Sequence, residues 1–211
     1  ELCNLISTTL KDIGLNKDQF TINVSNRKIV QGLIDDLKIS KDKQLKVIRA
    51  IDKLDKPGFG LKGVEDLLKK ERKDQSGAVT KGADLNNDQV AKILNILKMK
   101  DLKELKENLK NPLSQEGIKE LEEVFEVISY GSNSNQVKTN FTIVRGLAYY
   151  SDFILETNLN FKVTNNKGKR VDLGSICSGG GYAKLISRFK GVDVPGTGIS
   201  FGIDRLLFAL I

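Results

Sequence analysis

The first of three glycine-rich stretches in the C-terminal third of the chain combines a cation with aromatic rings. Arg145 and Gly146 are followed by Tyr149 and Tyr150, and Glu156 comes shortly afterwards. A guanidinium held beside two rings with polar tips suits a site for a phosphate or carboxylate joined to a planar group. The same residues also fit a plain strand entry with a surface arginine and core tyrosines.

The second stretch is a run of three glycines from Gly179 to Gly181, with Ser178 before it and Tyr182 after it. Glycine adopts positive φ and lets a ligand approach the backbone closely, so the run fits the floor of a binding site. A flexible turn would explain the glycines equally well. Taken alone, this stretch leaves both interpretations open.

The third stretch carries alternate glycines, with Gly198 and Gly202 leading into Asp204 and Arg205. We predict a strand without bulky side chains, then a helix that begins near Ile203 and points its N-terminus at a ligand. A flat ligand could lie on this floor, with Arg205 and the helix N-terminus attracting phosphates. The stretch lacks the Gly-Lys-Ser/Thr of a P-loop, and its glycine spacing differs from a dinucleotide fingerprint.

Composition limits the chemistry to Arg, Lys, Tyr, carboxylates and backbone dipoles. The 211 residues include no histidine, which excludes Ser-His and Cys-His nucleophiles and histidine metal ligands within this chain. Cys3 and Cys177 are too isolated for a zinc site or a disulfide framework, so we expect two buried thiols in a reducing compartment. A net charge of +7 permits a polyanionic partner, although the lysines are interleaved with almost as many acids.

Hydrophobic periodicity predicts an α+β fold whose antiparallel sheet is interrupted by a helical insertion. Asn86 with Gln89 resembles a capping box, Asn111-Pro112 separates two helices, and only 78–80 is strand-like within the helical block. The predicted helices are 2–13, 28–37, 41–54, 61–70, 87–99, 102–109, 115–128 and 203–210. The predicted strands are 20–24, 137–144, 153–163 and 170–177, with a turn at 165–168 between the last two.

Both chain ends fall within helical patterns, so we expect them to be cuts in a longer protein. No apolar run is long enough to cross a membrane.

The three stretches, taken together and in this order, resemble the histidyl-tRNA synthetase family of class II aminoacyl-tRNA synthetases. The segment from Arg145 to Tyr150, with Glu156, is similar to that family's first histidine-specific motif. The segment 178–185 is similar to its second motif, and 198–206 is similar to class II motif 3. The resemblance implies three segments: a first part of the catalytic core at 1–39, a helical insertion that contacts the tRNA acceptor stem at 40–130, and a second part of the core at 131–211.

The resemblance also implies roles for individual residues. Arg145 would stabilise charge on the α-phosphate of ATP, and Arg205 would pack on the adenine and reach toward the γ-phosphate. The remaining residues would line the substrates, with Tyr149, Tyr150, Gly179, Gly180 and Tyr182 around the histidine and Gly198 and Gly202 under the ATP. Magnesium would bridge the phosphates, and no proton need be removed, so positioning and electrostatics carry the rate.

For the whole protein, the resemblance implies a cytoplasmic ligase that joins histidine to tRNA(His) and works as a homodimer, with no membrane contact. Motifs 1 and 2 would lie before Glu1, so we expect this chain alone to be inactive in adenylation. The chain departs from the family pattern at Gly181 and Ala183, where an arginine and an acid are usual, at Ser151-Asp152, where Thr-Gly is usual, and at Asp204, where glutamate is usual.

Two alternatives stay open at this point. A non-catalytic, histidine-binding paralogue, such as the regulatory subunit of ATP phosphoribosyltransferase, would suit Gly181 and Ala183. A synthetase-like RNA-binding module in a larger regulatory protein would bind tRNA in a salt-dependent way without any affinity for histidine.

Overall fold

The computed structural model describes residues 1–56, 58–73, 79–99, 101–131, 134–144, 150–182, 185, 187, 189, 191–192 and 194–211. They form two compact units. Unit 1 comprises Glu1–Ser25, Leu121–Asn140 and Tyr149–Ile211, and unit 2 comprises Asn26–Glu120 and Phe141–Ala148.

The helices of the described residues lie mostly between the first and the later strands. They are Leu2–Asp12 (α1), Arg27–Asp36 (α2), Lys41–Ile51 (α3), Gly60–Lys69 (α4), Asn87–Lys98 (α5), Leu102–Asn108 (α6), Pro112–Ser129 (α7) and Ile203–Leu210 (α8). The strands are Phe20–Asn26 (β1), Glu71–Lys73 (β2), Val79–Lys81 (β3), Val137–Thr139 (β4), Phe153–Leu159 (β5), Val163–Thr164 (β6), Arg170–Val171 (β7), Ser175–Gly181 (β8) and Thr197–Phe201 (β9). None of the helices in the described residues is long and apolar enough to cross a membrane.

Unit 1 is built on a five-stranded sheet in the order β4-β1-β5-β8-β9. β5, β8 and β9 pair antiparallel, whereas β1 and β4 pair in parallel. The sheet is therefore mostly antiparallel, and helices together with the β2–β3 hairpin separate β1 from β4 along the chain. This arrangement confirms the predicted α+β class.

At β1 one face of this sheet is apolar and the other polar, because successive side chains of a strand point to opposite faces. Phe20, Ile22 and Val24 of β1 are at most 1% exposed and belong to the core. The residues between them face the other way. Asn23 Nδ2 donates to Asn158 Oδ1 of β5 at 3.0 Å. The polar face is thus the side of the sheet on which a site can form.

In unit 2, α2 and α7 cross at very short range because small residues line the crossing. A Cβ built on Gly32 would lie 2.2 Å from Ser114 Oγ and 2.7 Å from Ser114 N. One on Gly117 would lie 2.9 Å from Lys28 Cβ. Ser114 Oγ uses this proximity to donate to the Ile29 carbonyl at 2.9 Å. The crossing leaves no room for larger side chains.

Asn26 fixes the start of α2 and holds it to α7. Its side-chain oxygen caps the helix by accepting from Lys28 N at 3.0 Å, and its Nδ2 donates to Glu120 Oε2 at 2.6 Å. The Lys28 ammonium, only 17% exposed, forms an ion pair with Glu120 and a second one with Glu116 at 2.8 Å. An ion pair that is partly shielded from water contributes more than one on an open surface.

Several local predictions are confirmed at the level of hydrogen bonds. Asn86 and Gln89 form the reciprocal capping box at the start of α5. The β6–β7 hairpin closes on the predicted turn, where Asn165 Oδ1 accepts from Lys167 N and Lys169 N and Gly168 has a φ of +70°. Ile203–Leu210 is a helix with the predicted bounds.

Several predicted bounds of strands and helices are wrong. The strand predicted at 153–163 ends at Leu159, and the strand predicted at 170–177 is divided between β7 and β8. The strand predicted at 137–144 ends at Thr139, and the buried Phe141 lies beyond it outside any strand. The strand-like stretch predicted near Thr80 is confirmed by β3, but its partner β2 was not predicted, so the helical block contains a small hairpin. The helix predicted from Gln115 already begins at Pro112, whose fixed φ suits a first helical position, while Asn111 Oδ1 accepts from Leu113 N at 2.9 Å.

We expect Gly32→Ala to lower the free energy of unfolding by about 1–3 kcal/mol, because the added methyl must push α7 away from α2. Equilibrium urea unfolding of the purified chain measures the change. Lys92→Ala, at an exposed position of α5 in the same unit, is the control and should change stability by less than about 0.5 kcal/mol. Equal stability of Gly32→Ala and wild type would contradict the close crossing.

Candidate functional site

The three C-terminal strands of the sheet bring the glycine-rich stretches together. β8 lies between β5 and β9, with Gly180 opposite Ile154 on one side and Gly198 on the other. Residues directly opposite each other on paired strands share a face. Gly180 and Gly198 therefore form adjacent positions of one surface, which we call the glycine row.

Two tyrosines stand over the glycine row. A Cβ on Gly180 would lie 3.0 Å from Tyr150 Cδ1, and one on Gly198 would lie 2.7 Å from the Tyr182 hydroxyl. That hydroxyl donates to the Thr197 carbonyl at 3.0 Å, which holds the ring against β9. Both tyrosines are half-buried. The row thus has a floor without side chains and two aromatic walls with polar tips.

A polar row follows the glycine row along the strands. Glu156 of β5 pairs with Ser178 of β8, and Ser178 pairs with Ser200 of β9. Glu156, Ser178 and Ser200 lie two residues along their strands from Ile154, Gly180 and Gly198, respectively. Because residues two apart on a strand share a face, the polar row and the glycine row lie on the same face. This face therefore offers a carboxylate and two hydroxyls beside the glycine row.

Arg205 lies at the far end of the same face. A Cβ on Gly202 would lie 3.4 Å from Arg205 Cδ, so the arginine stem covers this glycine. Its Nη1 donates to the Ser175 carbonyl, which anchors the guanidinium. The side chain stays exposed in the first turn of α8, where a helix N-terminus adds positive potential. This end of the face favours anions and planar groups.

The structure separates the two glycines that were predicted to lie under the amino acid. Gly180 belongs to the face with the tyrosines, whereas Gly179 points to the opposite face. There a Cβ would lie 2.1 Å from the Gly198 carbonyl oxygen and 2.7 Å from Ile199 Cγ2. The close approach of two strands thus accounts for glycine at 179. The predicted roles of both glycines stay predictions.

Three of the residues at which the chain departs from the family pattern converge. A Cβ on Gly181 would lie 3.8 Å from Ser151 Oγ and 4.0 Å from Asp152 Oδ2, and Ser151 Oγ donates to that carboxylate at 2.7 Å. The space at Gly181 is therefore open and bordered by an acid. Ala183 lies outside the described residues, as do Arg145 and Tyr149, whose predicted roles stay predictions.

Sequence reasoning did not single out Ser200 as a site residue, and it gave Ser178 no role. A usable signal exists, because each serine lies two residues from a glycine predicted to be under a ligand. Alternation along a strand then places serine and glycine on one face. The pairing of Ser178 with Ser200 depends on the register between β8 and β9, which the sequence alone does not specify.

The two cysteines lie apart from this polar face. Both Cys3 and Cys177 are buried free thiols, as predicted. Burial raises the pKa of the Cys3 thiol, because a thiolate loses hydration away from water. Cys3 is therefore a protonated core residue at neutral pH. Cys177 pairs with Thr157 on the side of the sheet opposite the polar row.

Comparison with known proteins places this geometry in context. The family model described as "Histidyl-tRNA synthetase" matches residues 1–206. A histidine–tRNA ligase of Pelagibacter ubique (strain HTCC1062) is 75% identical over 211 residues, which are 100% of this chain and 45% of that protein. The chain thus spans about half the length of the curated relatives it matches.

Solved structures agree with the sequence matches. The crystal structure of histidyl-tRNA synthetase from Nostoc sp. PCC 7120 superposes with a TM-score of 0.75 at 30% identity, covering 98% of this chain and 44% of that one. A Bacillus halodurans structure described as an ATP phosphoribosyltransferase regulatory subunit/histidyl-tRNA synthetase gives a TM-score of 0.71 at 19% identity, covering 98% and 47%. The second likeness shows the fold alone.

The space around Gly179, Gly198 and Gly181 differs, so alanine should change stability by a different amount at each of these positions. We expect Gly179→Ala to destabilise by about 3 kcal/mol, at the upper end of overpacking costs, because the methyl meets backbone that cannot move away. Gly198→Ala should cost less, since Tyr182 can swing aside. Thermal unfolding of the single variants measures these differences.

Gly181→Ala is the matched control, because its Cβ would meet nothing closer than 3.8 Å. It should be neutral or slightly stabilising, as a strand glycine replaced by alanine loses less conformational entropy on folding. Equal effects of Gly179→Ala and Gly181→Ala would contradict the described packing of β8 against β9.

Proposed function

The chain belongs to the histidyl-tRNA synthetase family, and we propose that it forms part of a cytoplasmic ligase that activates histidine with ATP and transfers it to tRNA(His). One observation carries this proposal. Tyr150 and Tyr182 stand over the glycine row at one end of a sheet face, and Arg205 lies at the other end. That face can hold an amino acid with a planar side chain beside a nucleotide.

The two ends of the face would bind different substrates. Tyr150 and Tyr182 would enclose the imidazole of histidine, with their hydroxyls as hydrogen-bond partners and their rings as apolar walls. Gly198 and Gly202 would leave room for Tyr182 and Arg205 to lie against the floor of the site beside ATP. Arg205 would pack on the adenine, because a guanidinium plane stacks on aromatic rings and its charge attracts phosphate.

The reaction itself needs little from side chains beyond position and charge. The carboxylate of histidine attacks the α-phosphorus of ATP, the bond to the β-phosphate oxygen breaks, and pyrophosphate leaves. Arg145 would neutralise the negative charge that builds on the α-phosphate oxygens. The reaction would therefore be accelerated by neutralisation of charge and not by acid–base catalysis. This agrees with a chain that contains no histidine.

Magnesium would be held chiefly by phosphate oxygens. Among the described residues, no group of three or more cysteines, aspartates and glutamates is arranged to hold a metal ion. Magnesium commonly keeps several waters and binds through substrate phosphates with few protein ligands. When bound, it would neutralise the charge of the triphosphate.

The distribution of charge supports a contact between unit 2 and tRNA. Unit 2 contains 23 Lys and Arg against 16 Asp and Glu, which gives +7, and unit 1 contains 11 of each kind, which gives zero. The entire net positive charge thus belongs to the unit that includes residues 40–120 of the helical insertion predicted at 40–130. Clustered positive charge attracts the phosphate backbone of RNA. We propose that this unit contacts the acceptor stem.

Membership of this family supports two further proposals: the complete protein is a homodimer, and the 211-residue chain alone forms no adenylate. The regulatory-paralogue alternative has less support, because its structural likeness lies at 19% identity whereas the ligase of Pelagibacter ubique is 75% identical.

We expect the complete reading frame that encodes this chain to catalyse ATP–pyrophosphate exchange that depends on histidine. Arg145→Ala should reduce kcat by about 100-fold or more, the usual cost of removing one transition-state charge partner. The 211-residue chain assayed alone should form no adenylate. Histidine binding without any exchange by the complete protein would instead favour the regulatory paralogue.

The proposed tRNA contact predicts a localised effect of charge removal. Lys46 and Arg49 are exposed on α3 of unit 2. Replacing both with alanine in the complete protein should raise KM for tRNA. The salt dependence of binding should also fall, by about one unit of slope for each phosphate that the variant no longer neutralises.

Lys167→Ala with Lys169→Ala is the matched control, because it removes two exposed charges from the β6–β7 turn of unit 1. This double variant should bind tRNA like wild type. Equal weakening by the two double variants would show a net-charge effect and contradict a specific contact by unit 2.

A further inference from the structure

We propose that Ser178 and Ser200 bind the ribose of the nucleotide and make the site selective for sugar hydroxyls. This inference rests on the proposed function and deepens it, because it assigns the part of the substrate between the amino acid and the base. It begins from a cross-strand pair that faces the same side as the glycine row.

The pair is suited to one small polyhydroxyl group. Side chains directly opposite each other on antiparallel strands have Cβ atoms about 4.5–5.5 Å apart. A serine hydroxyl donates one hydrogen bond and accepts two, so both partners can serve hydroxyls in either direction. Ser200 is exposed and Ser178 is half-buried, which leaves their face reachable. Two adjacent hydroxyls of a sugar therefore match the pair in size and chemistry.

The position of the two serines along the sheet indicates that they would contact the sugar and not the other parts of the ligand. Gly198 and Gly202 are four residues apart, which is about 13–14 Å along a strand, and Ser200 lies midway. The tyrosines mark one end of this span and Arg205 marks the other. In an aminoacyl-adenylate the amino acid and the base are likewise at opposite ends, with the sugar between them. A ligand laid along β9 with its base at Arg205 would therefore place its ribose over the serines.

The carboxylate in the row disfavours a phosphate at the same place. Glu156 continues the row on β5, directly opposite Ser178. A carboxylate repels a phosphate and accepts hydrogen bonds from hydroxyl donors. No lysine or arginine belongs to this three-residue row. The row thus favours a neutral hydroxyl-bearing group, whereas Arg205 provides the positive charge at the end of the face.

The consequence is discrimination against nucleotides that lack a sugar hydroxyl. A site that hydrogen-bonds a substrate hydroxyl rejects an analogue without it, because the polar groups of the site are left unpaired. Alanine at 178 and 200 would remove those groups, and the enzyme would then distinguish the two nucleotides poorly. Loss of the discrimination between the two nucleotides indicates that the serines bind the sugar directly. A purely structural role of the serines would instead raise KM for both nucleotides equally.

The test uses the complete reading frame that encodes this chain and compares ATP with 2′-deoxy-ATP and 3′-deoxy-ATP in histidine-dependent pyrophosphate exchange. Wild type should show a KM for at least one deoxynucleotide about 10-fold above that for ATP. Ser178→Ala with Ser200→Ala should raise KM for ATP by about 2- to 10-fold for each hydrogen bond removed, with little change in kcat. KM for the disfavoured deoxynucleotide should not change.

Two further variants sharpen the comparison. Ser200→Thr keeps a hydroxyl and should retain most of the discrimination. Ser129→Ala removes an exposed serine at the end of α7, in the same unit but outside the site, and should match wild type. Equal KM for ATP and both deoxynucleotides in wild type, or an equal rise for all of them in the double variant, would overturn the assignment.

Failure of the proposed function can be told apart from failure of this inference. If wild type gives no exchange, the ligase assignment fails, and equilibrium binding of ATP and the two deoxynucleotides still decides the role of the serines. A preference for ATP that the double variant loses would support the ribose contact under either outcome. Absence of any ATP binding would overturn both proposals.

Discussion

The backbone of β8 runs so close to both of its neighbours that side chains have no room at its centre. A Cβ on Gly179 would meet the Gly198 carbonyl oxygen, and one on Gly180 would lie 2.4 Å from the Phe153 carbonyl oxygen. These contacts limit the register in which β5, β8 and β9 can pair. Because the register decides which side chains stand opposite each other, the rows across the polar face depend on the same two glycines.

Local sequence signals were sufficient for much of the fold. The capping box at Asn86, the turn at Asn165 and the helix after Gly202 each follow from a few neighbouring residues, and all three are present. The ends of strands are harder to predict from the sequence. Phe141 continues an apolar pattern that began at Val137, yet β4 ends at Thr139, because tertiary packing can bury an apolar residue without placing it in a strand.

The site was only partly predictable for a related reason. Gly198, Gly202 and Arg205 were identified within one continuous stretch, and the structure keeps them at one strand and its following helix. Ser178 and Ser200 come together through a pairing between residues that are distant in sequence. Composition likewise gave the total charge of the chain but not its division, since the two compact units are defined by contacts and not by consecutive residues.

The two edge strands of the five-stranded sheet, β4 and β9, differ in how readily another strand can pair with them. β4 is three residues long and carries exposed Lys138, features that discourage another strand from pairing. β9 is five residues long, contains no charged residue and no proline, and within the described part of the chain pairs on one side only. Of these two strands, β9 is therefore the one with which a strand of another molecule can pair more readily. A lysine at an outward position of β9 is the natural way to improve the handling of the chain in solution.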